Sequence, residues 1–187
     1  MVKYSDRHDN IGSDITDLDC LLELAEQGDA GAQYDLGYAF EHGEGVCADG
    51  LTAVEWYTKA AEQGDLDAQY NLGVVYDEGE IISEDPKKAV EWYTKAAEGG
   101  CVPAQCNLGT MYNKGRGVPR DLFRAASWYR KAAEKDDPFA QYNLGTMYEE
   151  GEGVPKDIKV AKMWYNEAAA QGDPDAERAL KALSETQ

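Results

Sequence analysis

The side chains best suited to covalent or proton-transfer chemistry are few and scattered. The 187-residue chain has two histidines, His8 and His42, and four cysteines, Cys20, Cys47, Cys101 and Cys106. A nucleophile needs a base within hydrogen-bond reach, and no Ser-His-Asp or Cys-His set is legible at these positions. The cysteines form no CxxC pair, so reduced packing residues are expected in preference to metal ligands or disulfides. The run Asp77, Glu78, Glu80, Glu84, Asp85 lacks the alternating oxygen ligands and central glycine of a calcium loop and reads as a solvated acidic edge. No glycine-rich loop runs from a strand into a helix with a phosphate-binding lysine at a fixed offset. No catalytic residue, metal or cofactor is therefore assigned, and the chain is read as a non-enzyme.

Groups suited to recognition are far more regular. Asn71, Asn107 and Asn143 recur every 36 residues, with Asp35 at the equivalent earlier place; so do Tyr34, Tyr70 and Tyr142, with Cys106 standing in for the third tyrosine. Tyr38, Thr110 and Thr146 form another series. A row of side-chain amides can donate to and accept from the backbone of an extended peptide, and tyrosines add rigid apolar contact. Two readings stay open for the amides: contact with a peptide, or bonds to a neighbouring loop. For the tyrosines, packing between helices outweighs ligand contact.

The elements that must carry these groups follow from the same period. Trp-Tyr occurs at 56-57, 92-93, 128-129 and 164-165, and Ala32, Leu36 and Gly37 each head a ladder in the same register. Four units result, 28–63, 64–99, 100–135 and 136–171, with half-units at 18–27 and 172–184 and an acidic, disordered tail over 1–17. Each unit reads as two amphipathic helices: Ala32, Leu36 and Phe40 at i, i+4, i+8, then Ala53, Trp56, Tyr57 and Ala60 at i, i+3, i+4, i+7. Asp29, Asp65, Asp137 and Asp173 precede the first helix, and Asp49, Asp85, Asp121 and Asp157 the second, where a carboxylate accepts from free N-terminal amides. Gly43-Glu44-Gly45 and its equivalents end the first helix in a left-handed turn; Ile81 departs from that pattern, exposing an isoleucine or tucking it inward. Gly37 and its equivalents would each cost about 1 kcal/mol in an isolated helix, a cost that close approach of the paired helix can return. The Trp-Tyr ladder is expected to pack in the core or on the outer face.

Charge sets limits on the partner. With 18 basic and 36 acidic side chains the net charge is −18, which repels phosphate backbones and anionic membranes. Nucleic-acid and membrane binding are excluded on that ground. Residues 100–135 depart from the rest with seven basic and two acidic side chains, a net of +5, concentrated in Lys114, Arg116, Arg120 and Arg124 and in Arg130, Lys131 and Lys135. These cations either screen neighbouring acids, the favoured reading, or present a bipolar surface to a partner. No apolar stretch suits a secretion signal or a membrane span, so a cytoplasmic monomer is expected.

The words AEQGDAGAQYDLGYAFEHGEGV, AEQGDLDAQYNLGVVYDEGE and AQYNLGTMYEEGEGVPKD closely resemble the Sel-1-like repeat family, relatives of the tetratricopeptide repeats, over residues 20–183. The cysteine-rich branch of that family is similar in its repeats but carries a cysteine pair in each unit, which this chain lacks. The resemblance implies an all-α, right-handed α-solenoid of 36-residue helix-turn-helix repeats, four full repeats with half-repeat caps, acting as a protein-protein interaction scaffold or adaptor. In such an array the first helix of each unit lines the inner wall, which makes Tyr34, Asp35, Tyr38, Tyr70, Asn71, Asn107, Thr110, Tyr142, Asn143 and Thr146 groove candidates for a bound peptide or protein. Two further readings are an immunity-type or inhibitor protein that masks a basic toxin or enzyme, and a hydrolase, the least supported.

Overall fold

The computed structural model describes residues 15–185, and among them every regular element is a helix. In chain order these are α1 (Ile15–Glu26), α2 (Ala30–His42), α3 (Gly50–Glu62), α4 (Leu66–Glu78), α5 (Pro86–Glu98), α6 (Val102–Lys114), α7 (Leu122–Ala133), α8 (Pro138–Glu150), α9 (Ile158–Ala170) and α10 (Pro174–Glu185). The even-numbered helices α2 to α8 are the first helices of the four repeats, and α3, α5, α7 and α9 the second. Helix α1 starts inside the span expected as a tail, and the remainder of that tail, with His8, lies outside the described residues. Two compact units divide the chain at Asp85/Pro86.

Local chemistry starts and stops these helices. Asp29, Asp65 and Asp137 accept from the backbone N–H of Ala32, Ala68 and Ala140 at 2.8 to 2.9 Å. Asp49, Asp121, Asp157 and Asp173 do the same for their own first turns. Each such cap contributes about 1 kcal/mol. Cys101 holds the N-cap of α6 without a side-chain cap bond and is buried instead, so the third repeat lacks this contribution. At the other end Gly43, Gly79, Gly115 and Gly151 take φ between 71 and 78°, a region closed to most side chains, and donate back to the carbonyl four residues earlier.

The tyrosine of each Trp-Tyr pair is the largest buried side chain of its repeat: Tyr57, Tyr93, Tyr129 and Tyr165 are all at most 1% exposed. Its ring takes the space a Cβ would need on the facing helix. A Cβ added at Gly37, Gly109 or Gly145 would stand 2.7 to 2.8 Å from the ring of Tyr57, Tyr129 or Tyr165. That is the close approach for which these mid-helix glycines are needed. The neighbouring tryptophans are only half-buried, with the ammonium groups of Lys59, Lys95 and Lys131 3.5 to 3.8 Å above the rings of Trp56, Trp92 and Trp128. At the ends, α1 lays Leu18, Leu21 and Ala25 on Ala32 and Leu36, and α10 lays Ala176, Leu180 and Leu183 on Ala161 and Tyr165.

A ladder unforeseen from the sequence ties each repeat to the helix before it. Gln33, Gln69, Gln105 and Gln141 are buried, and each side-chain amide donates to the carbonyl eight residues back, on Ala25, Ala61, Ala97 and Ala133, at 2.9 to 3.2 Å. Gln33 and Gln141 also accept from Gln63 and Gln171, 30 residues on, which closes both ends of the amide. Lys135 stands where that second glutamine would serve Gln105; its Nζ donates to the Gly100 carbonyl, and Gln105 Oε1 stays buried without a partner.

The irregular turn of the second repeat is also resolved by packing. Gly117 and Gly153 let their turns press on Pro86 and Leu122, where a Cβ would meet a carbonyl oxygen at 2.2 Å. In the second repeat the sizes are exchanged: Ile81 is the large residue, half-buried, and Gly50 is the small one, with a Cβ there only 2.7 Å from Ile81 Cγ2. Ile81 tucks inward and keeps a negative φ, since Asp136 is the one non-glycine residue with positive φ among those described.

Two stability measurements test this packing. Gly109→Ala should lower stability by about 1–3 kcal/mol through overpacking against Tyr129, although helix propensity alone favours alanine by about 1 kcal/mol. Gly31→Ala, whose Cβ meets only Asp29 Oδ1 at 3.3 Å, is the control and should not lose stability. In a double-mutant cycle, Gly50→Leu and Ile81→Gly should each destabilise, and the pair should recover about 1 kcal/mol or more of their sum.

Candidate functional site

The candidate site is the face of the first helices that carries the amide and tyrosine series, in α2 and α4 of one unit and in α6 and α8 of the other. Its floor is made by the buried phenols of the second helices, whose hydroxyls bond to side chains of the first helices. In the first unit Tyr57 donates to Glu41 Oε2 at 2.6 Å. Tyr34 is buried, with its ring centroid 5.7 Å from that of Tyr57 and the planes 38° apart. The Asn71 side chain from α4 lies near both phenols and works against the rise that their burial causes. Tyr38 stacks on His42 at 4.0 Å, which accounts for the isolated histidine, and Asp35 and Tyr70 are half-buried.

The second unit repeats the plan with one change. Tyr142 packs on Tyr165 at 5.7 Å and 37°, and the Tyr165 hydroxyl contacts Thr146 Oγ1 and donates to Glu149 Oε2 at 2.7 Å. Tyr129 shares a hydrogen bond of 2.9 Å with Thr110. Cys106 has no ring to lay on Tyr129; Phe139 from α8 stands edge-on to it at 6.4 Å and 72°, and remains 49% exposed. Asn143 donates to the Phe139 carbonyl at 2.7 Å. Asn107 is half-exposed and makes no side-chain hydrogen bond among the described residues.

Titration behaviour follows from burial. Desolvation raises the phenols of Tyr34, Tyr57, Tyr129 and Tyr165 above their ordinary value, and nearby carboxylates, Asp67 for Tyr34 and Glu41 for Tyr57, push the same way. Cys106 is raised as well, first by burial and then by the Asp137 carboxylate, so it stays a thiol and not a nucleophilic thiolate. Among the described residues no three His, Cys, Asp or Glu side chains converge to hold a metal.

The basic residues are partly engaged within their own unit. Arg120 Nε donates to the Asn113 carbonyl at 2.9 Å and its guanidinium lies 3.5 Å from Glu152; Arg124 lies 3.4 Å from Asp121. Both pairs are exposed, and the side chains of Lys114 and Arg116 are exposed as well.

The repeat geometry meets its counterpart in known proteins. The Sel1 repeat family model matches residues 30–65, 66–101, 102–137 and 138–173, the same 36-residue period two residues out of phase with the units drawn above. The chain belongs to the Sel1 repeat family. Sel1 repeat proteins generally mediate protein–protein interactions. Among solved structures it is similar to c5321, a protective antigen of uropathogenic Escherichia coli strains displaying an SLR fold, with 42% identity over 85% of this chain and 34% of that one, at a TM-score of 0.82. A Sel1 repeat protein from Oxalobacter formigenes is 36% identical over 90% of this chain and 49% of its own, also at 0.82. Cysteine rich protein B of Helicobacter pylori is 28% identical over 71% and 96%, at 0.56. This Sel1 repeat chain thus spans about a third and about half of the first two relatives. Comparison with curated proteins finds no match.

The phenols carry a pH prediction. A folded-state pKa raised above the unfolded value of about 10 leaves stability intact below that pH and removes about 1.4 kcal/mol per pH unit per phenol above it. Denaturant midpoints should therefore hold steady from about pH 7 to 9 and fall steeply from about pH 10. Phenolate absorbance from these tyrosines should appear together with loss of helicity, and Tyr57→Phe should reduce the slope.

Proposed function

We propose that this Sel1 repeat chain is a non-enzymatic scaffold that holds a segment of a partner protein on the face of its first helices. The observation that carries the reading is Asn107: a half-exposed amide with neither end bonded, one repeat from Asn143 and beside Thr110, on a face that also exposes Phe139. An amide left unbonded in this way can pair with both the N–H and the C=O of an extended backbone. Phe139 offers apolar contact next to it. Tyr142, Asn143 and Thr146 of the same unit would frame the segment.

A narrower version of the same reading has a basic partner, of the kind a toxin or an enzyme under inhibition would present. It is favoured by the charge of the first unit, where α2 and α4 hold Asp35, Glu41, Asp67, Asp77 and Glu78 and no Lys or Arg. Binding would then weaken strongly as salt rises.

The test separates the two fates of the amide row. A binder selected from a displayed peptide library against the purified chain should lose at least about tenfold in affinity to Asn107→Ala, with melting unchanged. Asn71→Ala should instead cost about 1 kcal/mol of stability through its lost contact with the two phenols. If Asn107→Ala leaves every selected binder unaffected, the site on this face is not the one proposed.

A further inference from the structure

Charge in this protein is sorted by helix. Helix α7 contains Arg124, Arg130 and Lys131 and no acidic residue, whereas α8 in the same unit ends in Glu149-Glu150 and has no basic one. Arg124 and Lys131 border a groove of about 360 Å³ that α7 forms with α5 and the end of α6. Tyr112, Phe123 and Trp128 make its apolar walls, Arg124 and Lys131 its cationic edge, and Glu98 its single acid. A space of this size accepts one large side chain with its flanking backbone.

Three features mark it as built for contact. Phe123 is 76% exposed, more than any other large apolar residue of the described chain, so covering its ring removes apolar surface from water. Lys131 is held over Trp128 at 3.8 Å and forms no ion pair among the described residues. Arg124 lies over the Tyr112 ring at 5.5 Å and donates to its hydroxyl at 3.2 Å, which fixes the guanidinium at the groove edge, with Asp121 at 3.4 Å leaving part of its fork open. Aromatic rings with oriented cations beside them are the composition of binding hot spots. The positive edge selects carboxylates, and Glu98 on the α5 side steers them toward α7. A nucleic acid fits less well than a short segment with a few carboxylates, because a long, uniform polyanion gathers more of the repulsion from the −18 charge of the whole chain.

We infer that the α5–α7 groove is a second docking surface, for a short acidic segment of a partner protein. The segment would set one aromatic or large aliphatic side chain against Phe123 and Trp128 and carboxylates on Arg124 and Lys131. This surface lies mainly on α5 and α7 and takes only Tyr112 from α6, so it does not include Asn107.

The test uses the full chain and fluorescent peptides of about twelve residues, each with one Phe, Trp or Leu among several Asp and Glu. Anisotropy is read at about 0.1 M salt, where surface electrostatics persist over about 10 Å. The best peptide should weaken at least about tenfold when its anchor is changed to Ser or its acids to Lys, and equally on Phe123→Ser or Lys131→Glu protein. Asn107→Ala should leave it unchanged, and circular dichroism should show both exposed variants folded. The inference is overturned if no such peptide binds more tightly than about 1 mM, or if a single-stranded oligonucleotide binds better. It is equally overturned if affinity follows Asn107 and ignores Phe123.

Discussion

The contact on which the first, third and fourth repeats rest is a tyrosine ring seated against a glycine Cα. Tyr57 on Gly37, Tyr129 on Gly109 and Tyr165 on Gly145 bring two helices closer than any pair of side chains with Cβ atoms would permit. The ring is buried along its length, but the hydroxyl has to be satisfied, and it lies where the first helix of the repeat supplies an oxygen: Glu41, Thr110, or Thr146 with Glu149. One residue thereby determines both how tightly the repeat closes and which polar groups on its surface are already engaged. A Sel1 repeat presents a polar face only after its own core has taken what it needs from that face.

Departures from the repeat pattern are absorbed by exchanges between neighbours. Where Ile81 replaces a turn glycine, Gly50 replaces the bulky residue it would strike. Where Cys106 replaces a tyrosine, Phe139 from the following helix brings a ring to Tyr129 from another direction. Where Lys135 replaces a glutamine no exchange occurs, and Gln105 keeps an unmet acceptor. Because each repeat touches only its neighbours, such changes remain local. The third repeat collects several of them: an uncapped α6, the missing tyrosine and a helix α7 with cations and no acids. It is the repeat most specialised away from the common plan, and both docking surfaces proposed above draw on it.

The two faces differ in the chemistry they offer. The first helices present amides, hydroxyls and carboxylates suited to pairing with a backbone; the second helices of the 86–187 unit present cations resting on aromatic rings. Nothing in either arrangement couples a nucleophile to a base: His42 stacks on Tyr38, and Cys106 is kept protonated by burial and by Asp137. The scaffold function proposed above would use these surfaces as they stand.

The sequence by itself determined the period, the helix pairs and their ends, because caps, left-handed turns and apolar stripes depend on residues three or four positions apart. Seven of the eight capping aspartates are seen to cap, and the ladder glycines do meet the paired helix. The Gln ladder carried the same period yet passed unread, since a polar residue beside a core alanine gives no sign of burial in sequence alone. Only tertiary structure decided which recurring polar groups are occupied. Asn71, Asn107 and Asn143 are identical by position, but one lies near two phenols, one bonds to its own helix and one to nothing. That difference depends on groups from neighbouring helices, such as the tyrosine that Cys106 replaces one repeat away, and periodicity, which treats equivalent positions alike, carries no record of it.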